Sequence, residues 1–313
     1  MRSGTGGVRA AGVRRGRVRA VALTSAVTGC LGLVAAVVSA GPGAAPVSLQ
    51  RVGATEAASS ESYWTPERMR DATPADPRAP GRPAPDPAGR AAWRSATVFH
   101  GVPSIGALFF RNGNGDHYCT ASVIDSRKRN LLITAAHCVH GGPGRGFVSR
   151  VAFVPGYDGG RRPYGVWTAR VLVVKRGWIR AGDPDLDFGF VAVDPLHGRR
   201  LAGVVGSNRL VVDRGPGHVV NVVGYPAGRD HPIYCRGTTK RQARYQLRFD
   251  CGGFTGGTSG SPWLLSYSAR TRTGSTNGVI GGYQRGGRYS DISYSPYFDQ
   301  DVWRLREDAD RAA

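Results

Sequence analysis

Apolar residues in this chain come in short runs from about Thr97 onward: Ala107–Phe110, Tyr118–Ile124, Leu131–Thr134, Val148–Val154, Trp167–Val174, Phe188–Val193, Val219–Val223, Pro262–Ser266 and Val279–Gly282. Gly, Pro, Asn or Asp stand between most of them. Runs of this length, rich in β-branched and aromatic residues and bounded by turn formers, predict strands. Nine of them with no intervening helical pattern predict an all-β domain, an antiparallel sandwich or barrel rather than a β/α alternation. The exception is the tail, where Phe298, Val302 and Leu305 share one helical face and predict a short C-terminal helix. No internal repeat is present, and a domain of this length can bury a substantial core.

The texture before Thr97 differs. Residues 46–96 are rich in Ala, Pro, Arg and Asp, with proline at six of the fourteen positions from Pro74 to Pro87. Without apolar periodicity such a segment builds no core, and it is expected to be a disordered propeptide or linker. Residues 1–45 read as an export signal: Arg14, Arg15, Arg17 and Arg19 precede an apolar stretch from Val21 to Val38, and Val38-Ser39-Ala40 offers a cleavage site. Val27-Thr28-Gly29-Cys30 also resembles a lipoprotein box, but the apolar stretch before Cys30 is short. The organisation expected is therefore a signal peptide over 1–45, a linker over 46–96 and one folded domain over 97–313, with no stable membrane anchor after signal cleavage.

The net charge of +20 changes this picture little. The domain from residue 97 carries 29 Lys or Arg against 16 Asp or Glu, but these are dispersed with no dense tract, so nucleic acid is not the expected partner. Adhesion to anionic wall polymers is the function class such a surface leaves open. Loss of Cys30 with the signal leaves Cys119, Cys138, Cys235 and Cys251, an even number that in an exported chain favours disulfides, with three possible pairings. No C-x-x-C or H-x-x-x-H spacing supports a metal site.

Three segments carry candidate chemistry. In Thr255-Gly256-Gly257-Thr258-Ser259-Gly260-Ser261-Pro262 a serine flanked by glycines can sit on a tight turn with its hydroxyl exposed. The backbone amides of Gly257 and Ser259 can then aim at one point, the arrangement an oxyanion requires. In Leu132-Ile133-Thr134-Ala135-Ala136-His137-Cys138 an apolar strand ends in small residues and presents a histidine beside a cysteine. In Asp185-Leu186-Asp187-Phe188 an aspartate stands at the entry of an apolar strand, where it could hold a histidine tautomer. Each segment alone is weak: a glycine-rich turn, a surface histidine and a turn aspartate are all common. Together, in the chain order His, Asp, Ser, they are specific.

On Thr-Ala-Ala-His-Cys at 134–138 and Gly-x-Ser-Gly-Ser-Pro at 257–262, the chain resembles the trypsin/chymotrypsin-like serine peptidases. The likeness is to the secreted bacterial branch that includes the glutamyl endopeptidases, and it covers about residues 100–305. Val223-Gly224-Tyr225-Pro226 resembles a strand of that branch. The resemblance implies two six-stranded antiparallel Greek-key barrels with the site in the cleft between them. It also implies a Cys119–Cys138 disulfide beside the histidine, and with it Cys235–Cys251. Ser259 would be the nucleophile, His137 the base, Asp187 (with Asp185 as the alternative) the orienting carboxylate, and the Gly257 and Ser259 amides the oxyanion hole. The implied activity is a secreted, monomeric endopeptidase acting on protein or peptide substrates with no cofactor or metal. A peptidase fold turned binding module, or a cationic adhesive exoprotein, are the rival classes.

The sequence departs from that family at three places. Thr258 replaces the aspartate that receives a new N-terminus in the animal digestive enzymes. No Ile-Val-Gly-Gly start exists, and Ser104-Ile105-Gly106-Ala107-Leu108 occupies the first strand, so activation is expected through removal of 46–96. The specificity pocket, with walls expected from Gly253, Phe254, Thr255 and Gly256 and from Ile280, Gly281, Gly282 and Tyr283, has Gly253 where trypsin has its acidic residue. Tyr283 falls near the histidine that reads glutamate in the glutamyl enzymes. Asp291 is a possible alternative charge at the back of the pocket.

Overall fold

The computed structural model describes residues 47–76 and 94–313. The expected signal segment 1–45, the Cys30 lipidation alternative and most of the proline-rich stretch lie outside the described residues. The described chain starts with β1 (Val47–Arg51), α1 (Ala54–Tyr63), α2 (Pro66–Asp71) and β2 (Thr73–Pro74). Next come β3 (Thr97–Val98), β4 (Ile105–Asn112), β5 (Gly115–Ile124), β6 (Leu131–Thr134), β7 (Ser149–Pro155), β8 (Trp167–Lys175), α3 (Arg176–Ala181) and β9 (Gly189–Val193). The second half holds α4 (Leu201–Val205), β10 (Arg209–Leu210), β11 (Val219–Gly224), β12 (Ile233–Thr238), β13 (Lys240–Ala243) and β14 (Gln246–Asp250). It ends with β15 (Pro262–Ser268), β16 (Thr273–Val279), β17 (Ile292–Pro296) and α5 (Gln300–Ala312).

Strands β4, β5, β6, β9, β8 and β7 pair antiparallel in that order, and β7 returns to β4, so the first half is a closed six-stranded barrel. Alternate residues point inward and outward along each strand. Leu108 and Phe110, Ala121 and Val123, Leu172 and Val174, and Val191 and Val193 meet in one buried cluster inside it. The other set, including Leu131, Ile133, Val171, Val173 and Phe190, packs beneath Val302, Leu305 and Ala309 of α5. Both faces of these strands are buried, which is why they read as unbroken apolar runs rather than as an alternation. Helix α5 is capped by Asp299, whose carboxylate accepts from the Asp301 amide at 2.8 Å, so Phe298 sits just before the helix instead of on it.

The second half divides its hydrogen bonding between two sheets instead of one closed ladder. One is β10-β16-β15-β11-β12-β3 and the other β13-β14-β17. A cluster of Val220, Val222, Leu247, Phe249, Phe254, Trp263 and Ile280 joins them. The stretch Val279–Gly282 is not a strand: β16 runs earlier, over Thr273–Val279, and the chain then leaves the sheet. Strands β12, β14 and β17 escaped the apolar pattern because they bury small or polar residues such as Gln246, Ser293 and Ser295.

The expectation that 46–96 builds no core is corrected for residues 47–76. β1 extends the sheet by pairing antiparallel with β8, Val47 opposite Lys175 through Arg51 opposite Val171. Trp64 and Met69 are buried in a cluster with Phe109, Val154 and Tyr157, and the Trp64 and Phe109 ring centroids are 5.3 Å apart. The reason is spacing: a few large side chains on two short helices suffice when the outer face of a barrel supplies the rest of the core. Trp64→Ala is expected to lower the stability of the uncleaved chain by about 3–5 kcal/mol, read as a fall in the urea midpoint.

Candidate active site

β6 ends at Thr134, and Ala136–Cys138 form a single 3-10 turn that presents His137. A disulfide between Cys119 of β5 and Cys138 fixes that turn to the barrel, and a second joins Cys235 to Cys251. Asp187 follows another 3-10 turn, Pro184–Leu186, which is capped by Asp183. Its carboxylate is fully buried and bound on three sides. Oδ1 accepts from the His137 amide at 3.0 Å, Oδ2 accepts from the Gly282 amide at 2.8 Å, and the His137 Nδ1 lies 2.8 Å from Oδ2 and 3.1 Å from Oδ1. Asp185 instead accepts from Gln246 Nε2 at 2.7 Å, so of the two aspartates it is Asp187 that holds the imidazole.

Ser259 sits between two glycines in left-handed geometry, Gly257 at φ 85° and Gly260 at φ 84°. A Cβ on Gly257 would fall 2.3 Å from the Tyr118 ring, and one on Gly260 would fall 2.1 Å from both Thr120 O and Thr134 Oγ1. Only glycine fits both the backbone angle and the space. The Ser259 carbonyl accepts from the Thr120 amide at 2.8 Å, and the Gly260 amide donates to Ile280 O at 2.7 Å. The serine is thereby tied to β5 one residue from the disulfide that carries the histidine turn, and to the chain that reaches Asp187 through Gly282. The Ser259 Oγ is buried with no hydrogen-bond partner among the described residues. Thr258, at the position of the missing aspartate, uses its hydroxyl to close the turn on Thr255 O at 2.7 Å.

The outer nitrogen of the imidazole is occupied. His137 Nε2 lies 2.8 Å from Asp76 Oδ2, out of line with the ring N–H, so the contact is electrostatic rather than a linear hydrogen bond. Arg285 donates to the other Asp76 oxygen at 3.0 Å. Burial works against a charged His137, yet the carboxylates of Asp187 and Asp76 outweigh it and raise the imidazole to about 9. Burial likewise opposes the Asp76 charge, and His137 and Arg285 overcome it, holding that carboxyl below the usual carboxylate range. Nothing in the sequence marked Asp76, which lies inside the stretch read as linker.

The expected pocket residues separate into different roles. Gly253 and Thr255 line a cavity of about 240 Å³ with Ser95, Ala96, Ala227 and Gly252. Gly256 lies under the Asp76 main chain, whose oxygen would be 2.4 Å from an added Cβ. Phe254 and Ile280 are fully buried in the second-half core, so their side chains build the wall from behind. Gly281 and Gly282 pack against Asp187, while Tyr283 is exposed and stacks edge-on with Tyr294 at 5.1 Å. Asp291 is buried behind Cys251, whose amide donates to the Asp291 carbonyl at 3.0 Å.

Comparison with known proteins points the same way as this geometry. The family profile described as a trypsin-like peptidase domain matches residues 119–269, which hold the histidine turn, Asp187 and the Ser259 loop. Residues 119–269 of this chain form a trypsin-like peptidase domain. Its fold is shared by the protease Anisep from Arthrobacter nicotinovorans, at 29% identity over 69% of this chain and 99% of that one, with a TM-score of 0.62. The thermostable serine protease AL20 from an extremophilic microorganism matches at 28% identity over 67% of this chain and 98% of that one, also with a TM-score of 0.62. A Bacillus subtilis (strain 168) protein named extracellular metalloprotease is 24% identical over 169 residues, which are 53% of this chain and 52% of that protein. This peptidase thus spans about half the length of that curated relative. Among the described residues the group of three close enough to share an ion is Cys119, Cys138 and His137, and both of its sulfurs are spent in the disulfide.

Proposed function

We propose that this peptidase is a secreted serine endopeptidase that cleaves peptide bonds by acyl transfer. Ser259 attacks the scissile carbonyl while His137 Nε2 takes its proton, and the amides of Gly257 and Ser259 stabilise the oxyanion. The imidazolium then returns the proton to the leaving amine. Water, activated by the same base, hydrolyses the acyl-enzyme and regenerates the serine. Asp187 stays ionised throughout and keeps the Nδ1 proton on the far side of the ring.

The observation that carries this reading is the Asp187 carboxylate held by two backbone amides and the His137 Nδ1, beside a loop that presents an unpartnered serine hydroxyl. Among the described residues, neither the Gly257 nor the Ser259 amide donates to another group, as donors reserved for an oxyanion should be. Two disulfides agree with export, and no described helix is long and apolar enough to cross a membrane. The test is reaction of the secreted, processed protein with a fluorophosphonate, followed by peptide mapping. The adduct is expected on Ser259 alone; processed protein that takes up no probe would be a binding module on a peptidase fold.

A further inference from the structure

The N-terminal segment 47–76, seated on the first barrel, reaches the candidate active site at Asp76. β2 pairs parallel with β5, Thr73 opposite His117 and Pro74 opposite Tyr118, and the Ala75 amide donates to Tyr118 O at 3.2 Å. The next residue is Asp76, which bridges His137 and Arg285 as described. Pro74 and the Asp76 carbonyl press on Gly256, where an added Cβ would meet them at 2.8 and 2.4 Å. Arg285 is itself braced, its Nη2 donating to Gly141 O at 3.3 Å and its guanidinium lying 5.9 Å from the Trp178 ring. Upstream, buried Trp64 and Met69 anchor the segment to the barrel.

We propose that residues 47–76 are an intramolecular inhibitor of this peptidase, with Asp76 as the stopper over His137 and Arg285 as the receptor for its carboxylate. The proposal rests on the reading of His137 as the catalytic base. A base must offer a free Nε2 lone pair. A carboxylate placed on that nitrogen keeps the ring protonated, and the chain carrying it fills the space over the Ser259 loop. Thr258 offers no carboxylate to receive a freed N-terminus, so here the block is removed by displacing a docked segment. The docking is non-covalent, so a cut after Asp76 alone leaves the segment bound until it dissociates.

The charges set the pH window. The groups facing the His137 ring are Asp187 and Asp76, with Arg285 behind Asp76 and the uncharged Trp178 ring 6.4 Å away. The His137 value is raised, so its contribution is full below the ordinary 6.5 and is lost as pH rises through about 9. Only the Asp76 share of that rise belongs to docking. The Asp76 value is lowered, so its contribution is present above the ordinary 3.8 and is lost as pH falls below it. Docking is strongest between those two ordinary values and weakens toward alkaline pH.

The experiment compares the uncleaved chain with its Asp76→Ala and Asp76→Asn variants by two readouts: the rate of fluorophosphonate labelling at pH 7 and the NMR titration of the His137 imidazole. A ring that titrates at about 9 leaves only about 1% of the base free at pH 7. Both variants are therefore expected to label at least ~10-fold faster than the wild type, and their imidazole to titrate at lower pH. A synthetic peptide of residues 47–76 should slow labelling of the processed protein, and its Asp76→Ala version should do so at least ~10-fold more weakly. Labelling rates equal to wild type in both variants, with processed protein labelling rapidly, would overturn Asp76 as the stopper; uncleaved and processed wild type labelling equally fast would overturn the inhibitor, and either result leaves the peptidase reading intact. An imidazole that titrates lower in the variants, with no labelling of any form, would instead sink the serine nucleophile and the inhibition with it.

Discussion

Ser259→Ala in the processed peptidase is expected to lower kcat by about 10^6-fold with KM little changed. The reason lies in how the site divides its work. The hydroxyl is the atom that bonds to the substrate in the proposed cycle, whereas the pocket and the Gly257 and Ser259 amides persist in the variant. A residual rate of about 10^3-fold over water should therefore remain from binding and oxyanion stabilisation. The loop itself should keep its shape, because what holds it is backbone: Thr120 N to Ser259 O, Gly260 N to Ile280 O, and two glycines in angles that other residues do not adopt. Steady-state kinetics on a quenched peptide library would decide the matter. Retention of more than a few per cent of kcat would place the nucleophile elsewhere.

Asp187→Asn is expected to cost about 10^4 in kcat, although it changes one atom and preserves shape. Each carboxylate oxygen of Asp187 faces a backbone donor, Oδ1 the His137 amide and Oδ2 the Gly282 amide, and the imidazole Nδ1 lies between them. An asparagine has one acceptor. Whichever way it is turned, its NH2 group meets a backbone N–H, leaving one buried amide unsatisfied at a cost of about 1–3 kcal/mol. An NH2 near Nδ1 also favours the tautomer with its proton on Nε2, which removes the base. The measurement pairs kcat with the downfield imidazole proton resonances. A variant with wild-type kcat would show that Asp187 serves the fold alone.

Much of this was legible in the sequence for a local reason. The strands of the first barrel are apolar on both faces, so runs such as Leu131–Thr134 and Trp167–Val174 announce themselves in any window. The motifs around His137 and Ser259 are likewise local: small residues before a histidine, and glycines where the chain must adopt left-handed angles. What remained hidden depended on partners far along the chain. β14 and β17 bury Gln246, Ser293 and Ser295, polar residues whose burial is tolerable only beside the partners that the fold supplies. The segment 47–76 did carry a signal, since Thr65-Pro66 is a helix cap followed by proline at the first helical position. The prolines downstream obscured it.

The sequence by itself determined the all-β class, the terminal helix and the identity of three side chains suited to acyl transfer, because strand period, turn chemistry and residue type are local properties. Tertiary structure alone decided that Asp187 and not Asp185 reaches the imidazole, that Phe254 faces the core, and that Asp76 covers His137. The first and last of these depend on residues 76, 137, 187 and 285 meeting within a few ångströms, and the second on Phe254 meeting Phe249 and Trp263. A packed fold creates such proximity, and no pattern along the chain encodes it.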